Sequence, residues 1–235
     1  MSYYINLSIL SNNLNNQQKR AERRKLLSAE ARRILSLCEG RPITEDNIAR
    51  EAAGRPFFSN IDVQCRDTDF NISHSGDLTV VSLVKGKNLR TGCDVELVRP
   101  RLRAKEIAEG FFSAPEREYI ESHGRFDEAR FYRIWTLKEC FLKLRGFSVL
   151  DMAGVPSFIS GEGAYTFGSA GVSPVSFDLY ELTGNGDEHY MLATAIEGIE
   201  EQPEIRWFSQ DSLVCKSIAK INAAASPAET VRPKI

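Results

Sequence analysis

The chain reads as an α+β protein of two halves with similar plan, each a helix packed on three antiparallel strands. Three observations predict this. The elements run in the order helix, three strands, helices, three strands. Short turns such as Gly76-Asp77 and Lys85-Gly86-Lys87-Asn88 favour antiparallel pairing of the strands they join. Arg99-Pro100-Arg101 separates the two runs and places the boundary near residue 103. The expected domains are therefore residues 1–103 and 104–235, with a C-terminal tail that could pack on the first half.

In order, alternation over Tyr3 to Ile9 predicts a strand. Lys19 to Leu37, rich in Ala, Arg, Leu and Glu, predicts a helix with Leu26, Leu27, Ile34 and Leu37 as its apolar stripe. Thr44 to Ala53 reads as a second short helix, and Gly54-Arg55-Pro56 as a turn. Phe70 to Ser73, Leu78 to Val84 and Leu89 to Leu97 read as a three-stranded meander. Ala104 to Phe112 is helical. Ser113-Ala-Pro115-Glu116 has the layout of a capping box and opens a further helix. Phe126 to Arg145 is a long helix ended by Gly146. Strands are expected at Ala164 to Phe167, Val175 to Leu182, Tyr190 to Ile196 and Ile205 to Ser209, then a short helix and a frayed end from Ala223.

Composition narrows the function classes. The chain is 42% hydrophobic and 26% charged, the balance of a globular protein. A formal net charge of -2 argues against a general nucleic-acid or membrane-surface binder. Five widely spaced cysteines without a C-x-x-C suit free thiols in a reducing cytoplasm rather than a zinc or disulfide framework. No apolar run reaches the roughly 18 residues of a membrane span, and Met-Ser-Tyr-Tyr-Ile-Asn lacks a signal-peptide layout. A cytoplasmic protein is expected. Neither G-x-x-x-x-G-K-[ST], G-x-G-x-x-G nor G-x-S-x-G occurs.

Three segments carry candidate chemistry. In Gly92-Cys93-Asp94-Val95-Glu96, Asp94 and Glu96 leave one strand face while Cys93 and Val95 point to the core. Two neighbouring carboxylates suit a hard cation such as Mg²⁺. Taken alone, they would more readily suit a solvated strand face. In the long helix, Ile134, Leu137, Phe141 and Leu144 form the core stripe. Trp135, Glu139 and Lys143 share an adjoining face, with Lys138 between the two. Glu139 could complete a metal shell. Lys138 and Lys143 could bind phosphate or orient a leaving group. Alternatively, Glu139 and Lys143 are an ordinary i, i+4 pair. Phe70-Asn71-Ile72-Ser73-His74-Ser75-Gly76 brings hydroxyls, an imidazole and a turn to a strand end, where they could meet phosphate or serve acid–base work. Arg55, in its rigid turn, offers a guanidinium fork.

Taken in order, Gly54-Arg55-Pro56, Phe70 to Gly76, Gly92 to Glu96 and Trp135-Thr136-Leu137-Lys138-Glu139 with Lys143 resemble the 4'-phosphopantetheinyl transferases, in particular their longer, monomeric, surfactin-type class. The resemblance covers about residues 54–146. It implies pseudo-twofold related halves with coenzyme A between them. The implied reaction is Mg²⁺-dependent transfer of phosphopantetheine from coenzyme A to a serine of an apo acyl or peptidyl carrier protein, releasing 3',5'-ADP. This is the holo-acyl-carrier-protein synthase type of activity, which also serves secondary metabolite biosynthesis. By the same resemblance, Asp94, Glu96 and Glu139 would hold the metal. Lys138 and Lys143 would contact phosphates. Arg55, Ser73, His74 and Trp135 would contact coenzyme A, with His74 at the 3'-phosphate. Glu139 or a metal-bound water would take the serine proton, with Asp94 and Lys143 also in the catalytic set. Arg24 and Arg32 are further phosphate candidates, or part of a basic face for an acidic carrier. Arg55 stands where the family commonly has lysine, and Cys93 where it commonly has a branched apolar residue. The rival readings are another Mg²⁺-dependent nucleotide phosphotransferase and a non-catalytic binding protein using Lys19 to Arg33.

Overall fold

Alternation makes β1 (Ser2–Ile9) a strand with Tyr3, Ile5 and Leu7 buried. The computed structural model describes residues 2–9, 19–59, 67–121, 124–159, 175–184, 186–199, 205–209, 215–221 and 229–231. Helix α1 (Lys19–Glu39) buries Leu27, Ala31, Ile34 and Leu35, whereas Leu37, expected in the stripe, is exposed. The expected helix at Thr44 to Ala53 is instead a single 3-10 turn, Glu45–Asn47, leading into a hairpin of β2 (Ile48–Arg50) and β3 (Pro56–Phe58). Gly54, at φ 91°, makes the tight reversal.

β4 (Thr68–Ser75) and β5 (Leu78–Lys85) pair antiparallel as expected. All of Leu78 to Val84 is buried, because β5 is covered on both faces. The third strand departs from the expected meander. β6 (Arg90–Leu97) does not extend the sheet of β4 and β5 but pairs antiparallel with β8 (His189–Glu197), which in turn pairs with β7 (Val175–Gly184). Between β6 and β7 lie α2 (Ala104–Phe111), α3 (Ala114–Ile120) and α4 (Glu128–Arg145). The tail forms β9 (Ile205–Ser209), which runs parallel to β1, then β10 (Cys215–Ile221) and β11 (Glu229–Val231). A short helix and a frayed end were expected at these last two strands. The expected strand at Ala164 to Phe167 lies outside the described residues.

Among the described residues the two large sheets therefore have four strands, β4-β5-β1-β9, and five, β11-β10-β7-β8-β6, rather than three each. Each takes a strand from the other side of residue 103. Their packing gives four layers. Ala31, Ile34 and Leu35 of α1 bury Phe70, Val81 and Leu83 of the first sheet. The other face of that sheet, with Tyr3, Ile5 and Val80, packs on Val95, Tyr180, Leu182 and Leu192 of the second. Phe131, Ile134, Leu137, Phe141 and Leu144 of α4 cover the second sheet's outer face at Phe177, Leu179, Met191 and Ala193. The α+β class and antiparallel character expected from the sequence are thus present. No described helix is long and apolar enough to cross a membrane.

Helix α4 is capped by Asp127, whose Oδ1 accepts from Arg130 N at 3.0 Å, and closed by Gly146 at φ 71°. It lies directly on β6 because position 92 is glycine. A Cβ there would meet the Cys140 carbonyl oxygen at 2.7 Å and Leu144 Cβ at 2.9 Å. Gly92→Ala should therefore destabilise the protein by about 1–3 kcal/mol through overpacking. Thermal unfolding should show a drop of roughly 2–4 °C per kcal/mol. An unchanged midpoint would mean that α4 can lift off β6 freely.

Candidate active site

β6 is the edge strand of its sheet, and β4 lies along that open edge. Four alternate β4 side chains accept hydrogen bonds from four alternate β6 backbone N–H groups. Thr91 N donates to Asp69 Oδ2 at 2.8 Å, and Cys93 N to Asn71 Oδ1 at 3.2 Å. Val95 N donates to Ser73 Oγ at 3.1 Å, and Leu97 N to Ser75 Oγ at 2.9 Å. Both serines then donate onward. Ser73 Oγ donates to Asp94 Oδ1 at 2.9 Å, and Ser75 Oγ to Glu96 Oε2 at 3.1 Å. The ladder that satisfies the strand edge thus also aims the two carboxylates.

From α4, Lys143 Nζ donates to Asp94 Oδ1 at 2.6 Å and to Ser73 Oγ at 2.8 Å. Trp135 Nε1 donates to Glu96 Oε1 at 2.9 Å. Trp135, Glu139 and Lys143 are spaced four apart, so they line one side of the helix. Burial pushes the Glu139 carboxyl up to about 7, with the charges of Asp94 and Glu96 adding to the effect. Burial likewise raises Asp94 and Glu96 above the usual carboxylate range. Burial works against charge on Lys143, but the adjoining Asp94 carboxylate outweighs it and holds the ammonium charged.

Beside this cluster opens a cleft of about 460 Å³, within the size range of small-molecule sites. Glu139, Lys143, His74, Arg32, Arg50 and Phe147 are among the residues that line it. The cleft lies where α1, the β2–β3 hairpin, β4 and the end of α4 meet.

Most expected site residues converge here: Asp94, Glu96, Glu139, Lys143, Ser73, His74 and Trp135. Three do not act as expected: Lys138, Arg55 and, in its contact, Trp135. Lys138 faces away from the cluster. It is 1% exposed and pairs at 3.1 Å with Glu116, itself fully buried, while donating to the Val155 carbonyl at 3.2 Å. Glu116 is the capping-box residue of α3, and its Oε1 also accepts from Phe158 N at 2.9 Å. Lys138 is therefore an internal tie rather than a phosphate contact. Arg55 lines the cleft, but its guanidinium points into the protein. Nε donates to the Lys143 carbonyl at 3.0 Å, and Nη2 to Asp69 Oδ2 at 2.6 Å and the Thr91 carbonyl at 3.0 Å. It fastens the ladder to the end of α4. Trp135 touches a carboxylate where a ligand contact was expected. The side chain of Arg24 is outside the described set.

Asp69 and Arg101 were missed, and Asn71 and Ser75, though inside the candidate segment, were not read as acceptors for β6. The alternation Asp69-x-Asn71-x-Ser73-x-Ser75 was the available signal for Asp69, Asn71 and Ser75. Its polar face has no reason to be buried unless a strand edge lies against it. Arg101 places its guanidinium carbon 4.4 Å from the Trp135 ring centroid.

A divalent cation suits this donor set, although among the described residues no three His, Cys, Asp or Glu side chains form a ready-made metal cage. The three-carboxylate shell expected from the sequence is therefore not assembled in this conformation. Asp94 Oδ2 is buried and, among the described residues, accepts no hydrogen bond. Glu139 is raised chiefly by burial, with the neighbouring Asp94 and Glu96 charges adding to it. Mg²⁺ needs only one or two protein carboxylates when waters and phosphates complete its shell.

Comparison with known proteins points the same way. Residues 90–194 match the 4'-phosphopantetheinyl transferase superfamily. The segment holds β6, α2 to α4, β7 and most of β8, and with them Asp94, Glu96, Trp135, Glu139 and Lys143. Similar curated proteins are themselves named phosphopantetheinyl transferases. AcpT of Salmonella typhimurium is 38% identical over 89 residues, 37% of this chain and 45% of that protein. The psf-1 transferase of Bacillus pumilus is 40% identical over 78 residues, 33% of this chain and 31% of its own. HetI of Nostoc sp. is 26% identical over 136 residues, 57% and 54% of the two chains. The chain spans under half the length of AcpT.

The Lys138–Glu116 pair allows a direct check. Lys138→Met leaves Glu116 buried without its counter-ion and should cost about 3–5 kcal/mol in urea unfolding, whereas Lys138→Met with Glu116→Gln should recover part of the loss. A weaker ligand affinity at unchanged stability would instead return Lys138 to the site.

Proposed function

We propose that this protein transfers the 4'-phosphopantetheine arm of coenzyme A to a serine of an apo acyl or peptidyl carrier protein, with Mg²⁺ held by the acidic cluster. The reading places it with the longer, surfactin-type enzymes that act as monomers in the cytoplasm. One observation carries it most: the unpartnered Oδ2 of Asp94, whose other oxygen is bonded to Lys143, a residue that with Glu139 lines a cleft large enough for a nucleotide. The superfamily match over the segment bearing those residues adds independent support.

In this reading the cleft takes the 3',5'-ADP portion, with His74 and Arg32 on its walls. Asp94 and Glu96 would hold the metal, with waters and phosphates completing its shell. When bound, Mg²⁺ would neutralise pyrophosphate charge and align it for displacement. Lys143, kept charged by Asp94, lies beside the same phosphates and offsets charge on the leaving group. The carrier serine oxygen forms a bond to phosphorus as the bond to 3',5'-ADP breaks. Glu139, on the cleft wall, accepts the serine proton. Ser73 and Ser75 hold the carboxylates so that little rearrangement is needed when charge develops.

The deciding experiment is intact-mass spectrometry of several apo carrier proteins incubated with the protein, coenzyme A and Mg²⁺. A mass gain of one phosphopantetheine arm is expected. Chelation should abolish it, and Asp94→Asn should lower the rate by at least about 100-fold, the scale for losing a major electrostatic contributor. A gain that persists in chelator would remove the metal from the mechanism. Coenzyme A binding without transfer to any carrier class would favour a different nucleotide phosphotransferase.

A further inference from the structure

Glu96 is held differently from Asp94. Both its oxygens are engaged, Oε2 by Ser75 and Oε1 by the Trp135 indole N–H, while Asp94 keeps one oxygen unpartnered. The orientation of Glu96 therefore depends on where the indole sits. Phe131 stacks on that indole at 6.0 Å between centroids, and Arg101 covers it at 4.4 Å. Arg101 is itself held in a fixed loop. Tyr132 Oη donates to the Arg99 carbonyl at 3.1 Å, and Ala104 N donates to the Arg101 carbonyl at 3.1 Å. Arg103, with φ 71°, turns the chain into α2 immediately afterwards.

We propose that Arg101 is a positioning residue: stacked on Trp135, it fixes the indole whose N–H holds Glu96, and so sets the second carboxylate of the Asp94/Glu96 pair for a divalent cation. This rests on the transfer reading above. Arg101 also brings a positive charge close to the carboxylate that Trp135 holds. That gives the two conceivable roles opposite signs. If Arg101 mattered only as a charge near the metal, removing it would lift a like-charge repulsion and tighten cation binding. If it acts by fixing Trp135, removing it releases Glu96 and weakens cation binding.

The test titrates Mn²⁺ into the full protein with coenzyme A present, read by electron paramagnetic resonance. Arg101→Ala should weaken Mn²⁺ affinity by about two- to fivefold, the scale of a half-exposed cation–π contact. The loss should vanish in a Trp135→Phe background, which keeps a ring but has no N–H. The Trp135 indole N–H resonance in ¹H–¹⁵N spectra, identified with the help of Trp207→Phe, should shift and exchange faster in Arg101→Ala. Tighter or unchanged Mn²⁺ binding overturns the proposal, as does an equal loss in both backgrounds. Should Trp135→Phe fail to fold, the indole resonance decides, and an unmoved signal in Arg101→Ala overturns it. A wild-type protein that binds no Mn²⁺ with coenzyme A overturns the metal reading as well, so the two failures are distinguishable.

Discussion

A strand edge satisfied by side chains is the constraint on which the site depends. β6 pairs with β8 on one side, and its other edge presents Thr91, Cys93, Val95 and Leu97 N–H to β4. β4 spends its own backbone on β5 and meets β6 with oxygens from Asp69, Asn71, Ser73 and Ser75. Leaving such buried donors orphaned would cost about 1–3 kcal/mol each. The chemistry of the acceptors matters as much as their number. A serine hydroxyl accepts with its lone pairs and still has a proton to give. Only at Ser73 and Ser75 is that proton given to a β6 carboxylate. One register therefore splices the two sheets and orients Asp94 and Glu96.

Helix geometry then decides which charges meet that pair. Trp135, Glu139 and Lys143 fall on one line of α4, and the close approach allowed by Gly92 presses that line against β6. Lys138 precedes Lys143 by five residues, about 140° around the helix. The two lysines consequently serve opposite sides. Lys143 offsets a carboxylate at the cluster, and Lys138 neutralises Glu116 under α3. Burial raises Glu139 most, and the charges of Asp94 and Glu96 add to the effect while Lys143 and Arg101 oppose it.

Local features were legible from sequence where the determinant was local. The capping box at Ser113, the glycine end of α4 and the alternation of β6 all appear as expected. Pairing partners were not legible, because periodicity identifies a strand and its faces without naming its neighbour. Hence β6 was assigned to the meander, although the short turn before it leads to a different sheet. The tail failed for a related reason. Cys215 to Ile221 has little strand preference of its own, and antiparallel pairing with β7 overrides its propensity. Thr44 to Ala53 has helix-start residues, but the β-branched Ile48 and the glycine reversal at 54 favour a hairpin after one turn. In the site, the carboxylates and the Trp135–Glu139–Lys143 line could be read directly. The inward turn of Arg55 and Lys138 could not, since each depends on a partner far away in sequence.

The family match begins at residue 90, yet the matched segment does not set its carboxylates alone. Asp94 and Glu96 are aimed by Ser73 and Ser75, which lie before the match, and Arg55 ties the ladder's Asp69 to the Lys143 carbonyl. His74 and Arg32, on the cleft walls, also precede it. The unmatched N-terminal sheet is thus a structural partner in the site rather than an appendage. It can diverge widely in sequence while keeping that role, because the ladder asks only for an oxygen acceptor at every second position of β4. Within it, the stricter demand falls on the two positions that must also donate.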